Sequence, residues 1–226
     1  MTPSGRKTTG SNARRAVQAL RAMIFSGELP AGSDHLESEL AERLGMSRTP
    51  VHEAALMLQG QGLLEVRPRK GVRILPVSAE DMREIYDVLT ELESLAAERA
   101  AEAGHSARDL AALDAAIRDM DLALKHDDRE AWARADDRFH AELVRLGGNM
   151  RVVAIVGMIA DQVRRARAVT LFMRPLPVQS NEDHRAVHDA ILAGDAEAAR
   201  RIHRAHCQQA RDMLTGLLER HRLRSL

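Results

Sequence analysis

GMSRTPVHEAALML, Gly45 to Leu58, has two opposed faces. On a 3.6-residue period Val51, Ala54, Ala55 and Leu58 fall on one stripe, and Arg48, Thr49, His52 and Glu53 lie opposite. A helix divided in this way is anchored by one side and reads with the other. Ser47 is placed to cap it, offering a side-chain oxygen to the amides of the first turn, and Pro50 sits where a missing amide proton is tolerated. The exposed first turn then presents Arg48, Thr49 and His52. That layout suits a helix entering a DNA major groove by its N-terminal end, where arginine bonds a guanine edge bidentately and hydroxyls reach base or phosphate.

Upstream, ESELAERL (Glu37 to Leu44) reads as a short amphipathic helix, and Gly45 supplies the left-handed residue of a tight turn into Ser47. Helix, glycine turn, helix is the helix-turn-helix unit. Downstream, Leu63 to Val66 and Val72 to Leu75 flank the basic turn Arg67-Pro-Arg-Lys-Gly71. Two short β-rich runs about such a turn predict a hairpin, a wing whose tip, with Arg69, Lys70 and Gly71, lies against phosphates or in the minor groove. Asn12 to Ser26 reads as the first helix, and Leu29-Pro-Ala-Gly32 as the turn that follows it.

The words SGELPAG, ELAERLGMSRTPV and the glycine-tipped wing together closely resemble the N-terminal domain of GntR-family bacterial transcription regulators, from Ala16 to Leu75 almost without gaps. The resemblance implies DNA contacts from Ser47, Arg48, Thr49 and His52 on the helix and from Arg69, Lys70 and Gly71 on the wing. In that family SRTPV is usually followed by an arginine that contacts DNA. Here the residue is His52, which lacks the two-pronged fork and points to a different half-site.

The whole chain has 226 residues, enough for one large or two small domains, and its 45% hydrophobic content supports a proper core. Aromatic residues are only 2%, which in a chain rich in Ala, Leu and Arg leans towards helix. The formal net charge of +0 hides an asymmetry: residues 1–76 hold 11 basic against 7 acidic residues (+4), and the other 150 hold 22 against 26 (−4). Basic charge therefore gathers where the DNA-reading elements are. Cys207 is the single cysteine, so no intrachain disulfide forms and nothing asks for an oxidising compartment. The longest apolar run, Val152 to Ala160, is too short to span a bilayer, and the first residues lack a hydrophobic signal core. A cytoplasmic protein is expected, with residues 1–11 disordered.

Pro76 marks the expected boundary between a winged helix-turn-helix domain, 1–76, and a second domain, 77–226. No strand signal follows it. Helices are expected over 79–103, 107–125, 128–146, 150–173, 178–193 and 195–222, each flagged by a cap or breaker. The fold class is mainly α, with the winged domain followed by an all-α helical bundle.

Within that bundle Asp136 and His140 stand four apart on one helix and share a face. His184 or His188 on the next-to-last helix, and His203 or His206 on the last, would complete a set of imidazoles and a carboxylate suited to Zn, Ni, Mn or Fe. Cys207 beside them is a soft extra ligand or a small buried side chain.

DDRFHAEL from Asp136, Gly148-Asn149, EDHRAVHDAILAGD from Glu182 and Arg204-Ala-His206 look like the effector domain of the FadR-like (FCD) branch of the same family. The resemblance implies a divalent metal held by Asp136, His140, His184 and His206, and a small carboxylate effector, an organic or sugar acid, that completes its coordination. Asn149 and Arg164 are the expected effector contacts, with Arg165 and Arg167 beside Arg164 as further positive charge. A family arginine expected four residues before Glu93 is Leu89 here, so a less charged ligand or an acid held differently stays open.

A single helix-turn-helix buries too little on DNA to be selective, so a homodimer on a palindromic operator is expected, its geometry shifted by the effector. Repression relieved by ligand is the preferred form, and no enzymatic activity is expected. The rival is a helical metal-dependent phosphohydrolase built on the adjacent pair His188-Asp189, against which stands the whole N-terminal domain.

Overall fold

The computed structural model describes the backbone of residues 6–221 and the side chains of residues 12–221. These residues form two compact units, one reaching Ser78 and the other starting at Ala79.

In the first unit α1 (Arg6–Phe25) is followed by β1 (Asp34–His35), α2 (Glu37–Arg43), α3 (Arg48–Gln59), β2 (Leu64–Arg67) and β3 (Gly71–Ile74). α1 starts six residues before the expected Asn12, so Arg6 to Ser11 are helical where disorder was expected; residues 1–5 lie outside the described residues. The apolar stripe of α3 is fully buried, and with Leu20, Leu40 and the inward residues Val72 and Ile74 of β3 it forms one core. Burial of that stripe fixes which face of α3 is left to solvent. β3 is central in a three-stranded antiparallel sheet, pairing Val66 with Val72 on one side and His35 with Val72 on the other. The sequence reading held the hairpin but not β1, a two-residue edge that exists because β3 has a second side to satisfy.

The second unit is α4 (Ala79–Glu102), α5 (Ala111–Lys125), α6 (Arg129–Leu146), α7 (Met150–Val169), α8 (Val178–Ala193) and α9 (Ala196–Arg220). α4 is its axis and packs against α6, α7, α8 and α9. Side-chain caps set three of the starts: Asp128 accepts from the Ala131 amide at 2.8 Å, Asn149 from the Arg151 amide at 3.0 Å, and Asp195 from the Ala198 amide at 3.0 Å. Between α8 and α9 Gly194 takes φ +72°, which turns the chain back so that both helices face α4.

Two expected helices are shorter than read. α5 starts at Ala111 because Asp109 ties back to the amide and hydroxyl of Ser106, closing a turn ahead of it. α7 ends at Val169, where the Thr170 hydroxyl donates to the Ala166 carbonyl. A 3-10 turn, Leu171–Met173, follows, and Pro175 then forces Arg174 into an extended conformation (φ −84°, ψ 150°). This break places Arg174 in the wall of a cavity in the helical unit.

Candidate functional site

In the first unit Arg48 and Thr49 are exposed in the opening turn of α3, with His52 one turn on. His52 is held across the turn: its Nδ1 lies 2.8 Å from Oε1 of Glu37 on α2. Ser47 occupies the N-cap position but its side chain bonds no helix amide, so the expected cap is not made and the exposed hydroxyl is left to other partners. Pro50, third in the helix, removes an amide that has no intrahelical acceptor anyway. On the wing Arg67 and Arg73 are engaged by Asp34, and Arg67 also by Glu65, whereas no carboxylate among the described residues pairs with Arg48, Arg69 or Lys70. The recognition turn and the wing tip thus carry cations without a carboxylate partner among the described residues, as do Arg14 and Arg15 on α1. Gly71 (φ +85°) closes the wing turn; a Cβ there would stand 2.1 Å from the His35 carbonyl oxygen, so its role in the fold is close backbone approach.

In the second unit α6 carries Asp136 and His140, α8 carries His184 and α9 carries His206, all buried. One nitrogen from each histidine lies within 4.8 Å of the other two. Oδ1 of Asp136 is 3.6 Å from Nε2 of His140 and 3.6 Å from Nε2 of His184. That is too long for hydrogen bonds but close to the separation of about 3.3 Å between neighbouring ligands of a tetrahedral ion with bonds of about 2.0–2.1 Å. Nε2 of His140 and both ring nitrogens of His184 are buried without any hydrogen-bond partner. Orphaned imidazole nitrogens facing an ionised carboxylate are what a divalent cation satisfies. The three imidazoles therefore fit a borderline metal ion, with Asp136 beside His140 and His184 as the carboxylate at its edge.

Behind this set stands a partner the sequence reading missed. Glu93, buried on α4, accepts from Nδ1 of His140 at 2.9 Å and from Nε2 of His203 at 3.0 Å. Bonding at Nδ1 fixes the ring of His140 and leaves Nε2 to face Asp136, the usual arrangement around a ligating histidine. Glu93, His140 and His203 form a second convergent group, and the Cys207 thiol lies 3.4 Å from Nε2 of His203. Burial pushes that thiol well up, so it stays protonated in this setting.

The protonation pattern follows from the same geometry. Burial pushes His184 well below its ordinary value and His203 down to about 4. His140 resists burial because Glu93 and Asp136 flank it, and it is pushed up to about 10. Against burial, His140 and His203 hold Glu93 low, while Arg167 and His140 hold Asp136 well below the carboxylate range.

The histidine set opens on a cavity of about 170 Å³ to which Asp136 and His206 contribute. Its walls include Tyr86, Trp132 and Leu214, and three arginines from separate segments: Arg129, Arg167 and Arg174. Arg167 pairs with Asp136, and Arg129 donates to the carbonyls of Leu171 and Arg174. The expected effector contacts lie elsewhere. Arg164 is exposed and bonded to Asp137 and Asp161, and Asn149 spends its side-chain oxygen on capping α7. Neither lines the cavity. His188 bonds its neighbour Asp189 and stands outside both histidine groups.

Residues 12–74 match the family model described as bacterial regulatory proteins, gntR family, and residues 84–209 match the FCD domain. The chain belongs to the GntR family. It is a DNA-binding transcription regulator of the FCD branch, mainly α, with a winged helix-turn-helix unit ahead of a helical one. A helix-turn-helix transcriptional regulator from an unstable DNA locus of Streptomyces ambofaciens is 32% identical over 91% of this chain and 86% of its own. A probable D-xylose utilization operon transcriptional repressor of Paenarthrobacter nicotinovorans is 32% identical over 78% and 76%. The solved structure of Escherichia coli McbR/YncC shares the fold at a TM-score of 0.75 with 23% identity, covering 91% of this chain and 98% of that one. These GntR relatives are regulators, and no helix among the described residues is long and apolar enough to cross a membrane.

Proposed function

We propose that the chain is a ligand-responsive repressor that binds a palindromic operator as a homodimer and is released or re-oriented when a small carboxylate enters the helical domain. The observation that carries this reading is a cavity whose wall takes Asp136 and His206 from the buried histidine and aspartate set and three arginines from separate segments. Asp136, His140, His184 and His206 would hold the metal, which supplies a Lewis-acidic position for the acid. Glu93 orients His140, Asp183 does the same for His206 through Nδ1 at 3.3 Å, and Arg167 keeps Asp136 ionised. The pocket walls present cationic groups to the ligand. The loss of the family arginine at Leu89 is offset in this reading by Arg129, Arg167 and Arg174 on the other wall. Repression as the sign of control is supported by the printed role of the Paenarthrobacter relative. On α7 Ala154, Ile155 and Met158 are exposed within two turns, an apolar face that suits a contact between protomers in the dimer this reading requires.

Ligand binding to the folded state raises the melting temperature by mass action. A screen of organic and sugar acids, with and without a chelator, is expected to give a shift with at least one acid that disappears on chelation. A chelator-insensitive shift would detach the acid from the metal.

On the DNA side, operator is first selected from a random pool by the wild-type protein. Arg48→Ala should then weaken binding by about 1–3 kcal/mol and relax one base position, whereas Lys70→Ala should weaken all sequences alike and lower the salt slope by about 1. Undiminished specific binding by Arg48→Ala would remove α3 from the recognition role. The phosphohydrolase reading has no geometric support, since His188-Asp189 does not converge with the other ligands.

A further inference from the structure

Of the three arginines in the cavity wall, Arg174 is the one whose charge is not accounted for. Its Nη2 donates to the Arg167 carbonyl at 2.7 Å, its Nε is buried with no hydrogen-bond partner, and no carboxylate among the described residues pairs with it. Burial, reinforced by the charge of Arg167, pushes the guanidinium down to about 10. A half-buried guanidinium whose buried Nε has no partner and whose hydrogen bond goes to a carbonyl is under-satisfied, and an anion delivered to it recovers that cost. Arg167 differs in being already matched to Asp136.

Arg174 is also placed with some care. It follows the 3-10 turn Leu171–Met173, is held extended ahead of Pro175, and has its own carbonyl pinned by Arg129. The segment is braced at both its backbone and its side chain, so the guanidinium is pre-organised in the wall.

The geometry points to an effector with two anionic groups, one carboxylate at the Asp136 and His206 end of the cavity and a second anionic group at Arg174, joined by a short skeleton against Trp132 and Tyr86. This rests on the reading of the cavity as the effector site. It adds that Arg174 is the residue that selects a ligand with a second anionic group over the matching monoanion. A guanidinium can grip either a carboxylate or a phosphate bidentately, so the second group is defined by charge and planar or tetrahedral oxygens.

The test is calorimetric titration of the full chain, loaded with zinc, with matched pairs of acids: succinate and butyrate, malate and 3-hydroxybutyrate, phthalate and benzoate, and 3-phosphoglycerate and glycerate. At least one acid with two anionic groups should bind roughly tenfold or more tighter than its singly charged partner, the least that a recovered charge-assisted hydrogen bond supplies. The pair in which this occurs separates a carboxylate from a phosphate. Arg174→Gln should erase the preference by weakening the doubly charged member of the pair far more than the monoanion, and Arg174→Lys should keep part of it, because charge survives and the fork does not. Equal affinity of both members in every pair that binds would overturn the inference while leaving the effector site standing, and so would a preference that survives in Arg174→Gln. If no acid of either kind binds, the effector reading falls and this inference with it.

Discussion

His184→Ala is expected to lower the affinity of the helical domain for Zn(II) or Ni(II) by roughly 100-fold or more, since a four-ligand zinc site worth about 10–16 kcal/mol draws about a quarter of that from each ligand. His184 is fully buried, packs on Phe139 with ring centroids 4.1 Å apart, and has no hydrogen-bond partner at either ring nitrogen. Nothing in the metal-free fold makes use of those nitrogens. The measurement is the metal-dependent increment in melting temperature, which separates lost ligation from any change in packing because each variant is compared with itself after chelation. Glu93→Gln, which keeps the shape but exchanges the charge behind His140, should cost about 10–100-fold in the same assay. His188→Ala is the control, because His188 bonds Asp189 and stands apart from the set. A His184→Ala protein that keeps the full increment, or a His188→Ala protein that loses it, would move the metal to another place, and Glu93, His140 and His203 would be the next set to test.

How far these sites could be read in the sequence depends on what holds each residue in place. Asp136 and His140 share a helix face, so their proximity follows from a spacing of four; His184 and His206 come in from α8 and α9, and the sequence offered His188 and His203 on equal terms until a family resemblance chose between them. Glu93 carried a signal that went unused. Met82, Tyr86, Leu89, Glu93 and Ala97 recur every three or four residues along α4, and a glutamate on such a stripe is buried and needs a partner. Arg174 had no such signal, because it lies in a break between α7 and α8 where no periodicity exists and only the bundle's assembly puts it in the cavity wall. Asn149 shows the opposite error: a residue ahead of a helical run is first of all a cap, and its oxygen is used there. The short strand β1 is illegible for a further reason. Two residues cannot show alternation, and Asp34-His35 is a strand because the free side of β3 demands acceptors and donors.

Gly71→Ala is expected to destabilise the winged unit by about 3 kcal/mol or more, well above an ordinary loss of glycine freedom, because strain and overlap act together. Gly71 sits at φ +85°, and a Cβ on it would lie 2.1 Å from the His35 carbonyl oxygen and 2.9 Å from the Leu36 Cα, both backbone atoms with no rotamer to yield. Relief requires β1 and β3 to part. That breaks the pairing of His35 with Val72, along with the bonds from the Gly32 amide to the Ile74 carbonyl and from the Ile74 amide to the Ser33 carbonyl. Val72 and Ile74 are fully buried beside the apolar face of α3, so the disturbance reaches the helix that presents Arg48. Gly45→Ala is the comparison: it has φ +61° but nothing within 4 Å of the new Cβ, so only the left-handed penalty of about 1–2 kcal/mol applies. The single tryptophan, Trp132, and the single tyrosine, Tyr86, both lie in the helical unit, so intrinsic fluorescence does not see this change. Hydrogen exchange at the amides of β2 and β3 does. Protection there should collapse in Gly71→Ala and fall only modestly in Gly45→Ala, with α4 to α9 unaffected in both. Equal losses in the two variants would mean that conformational freedom, and not the close passage of β3 over His35, is what the wing asks of Gly71.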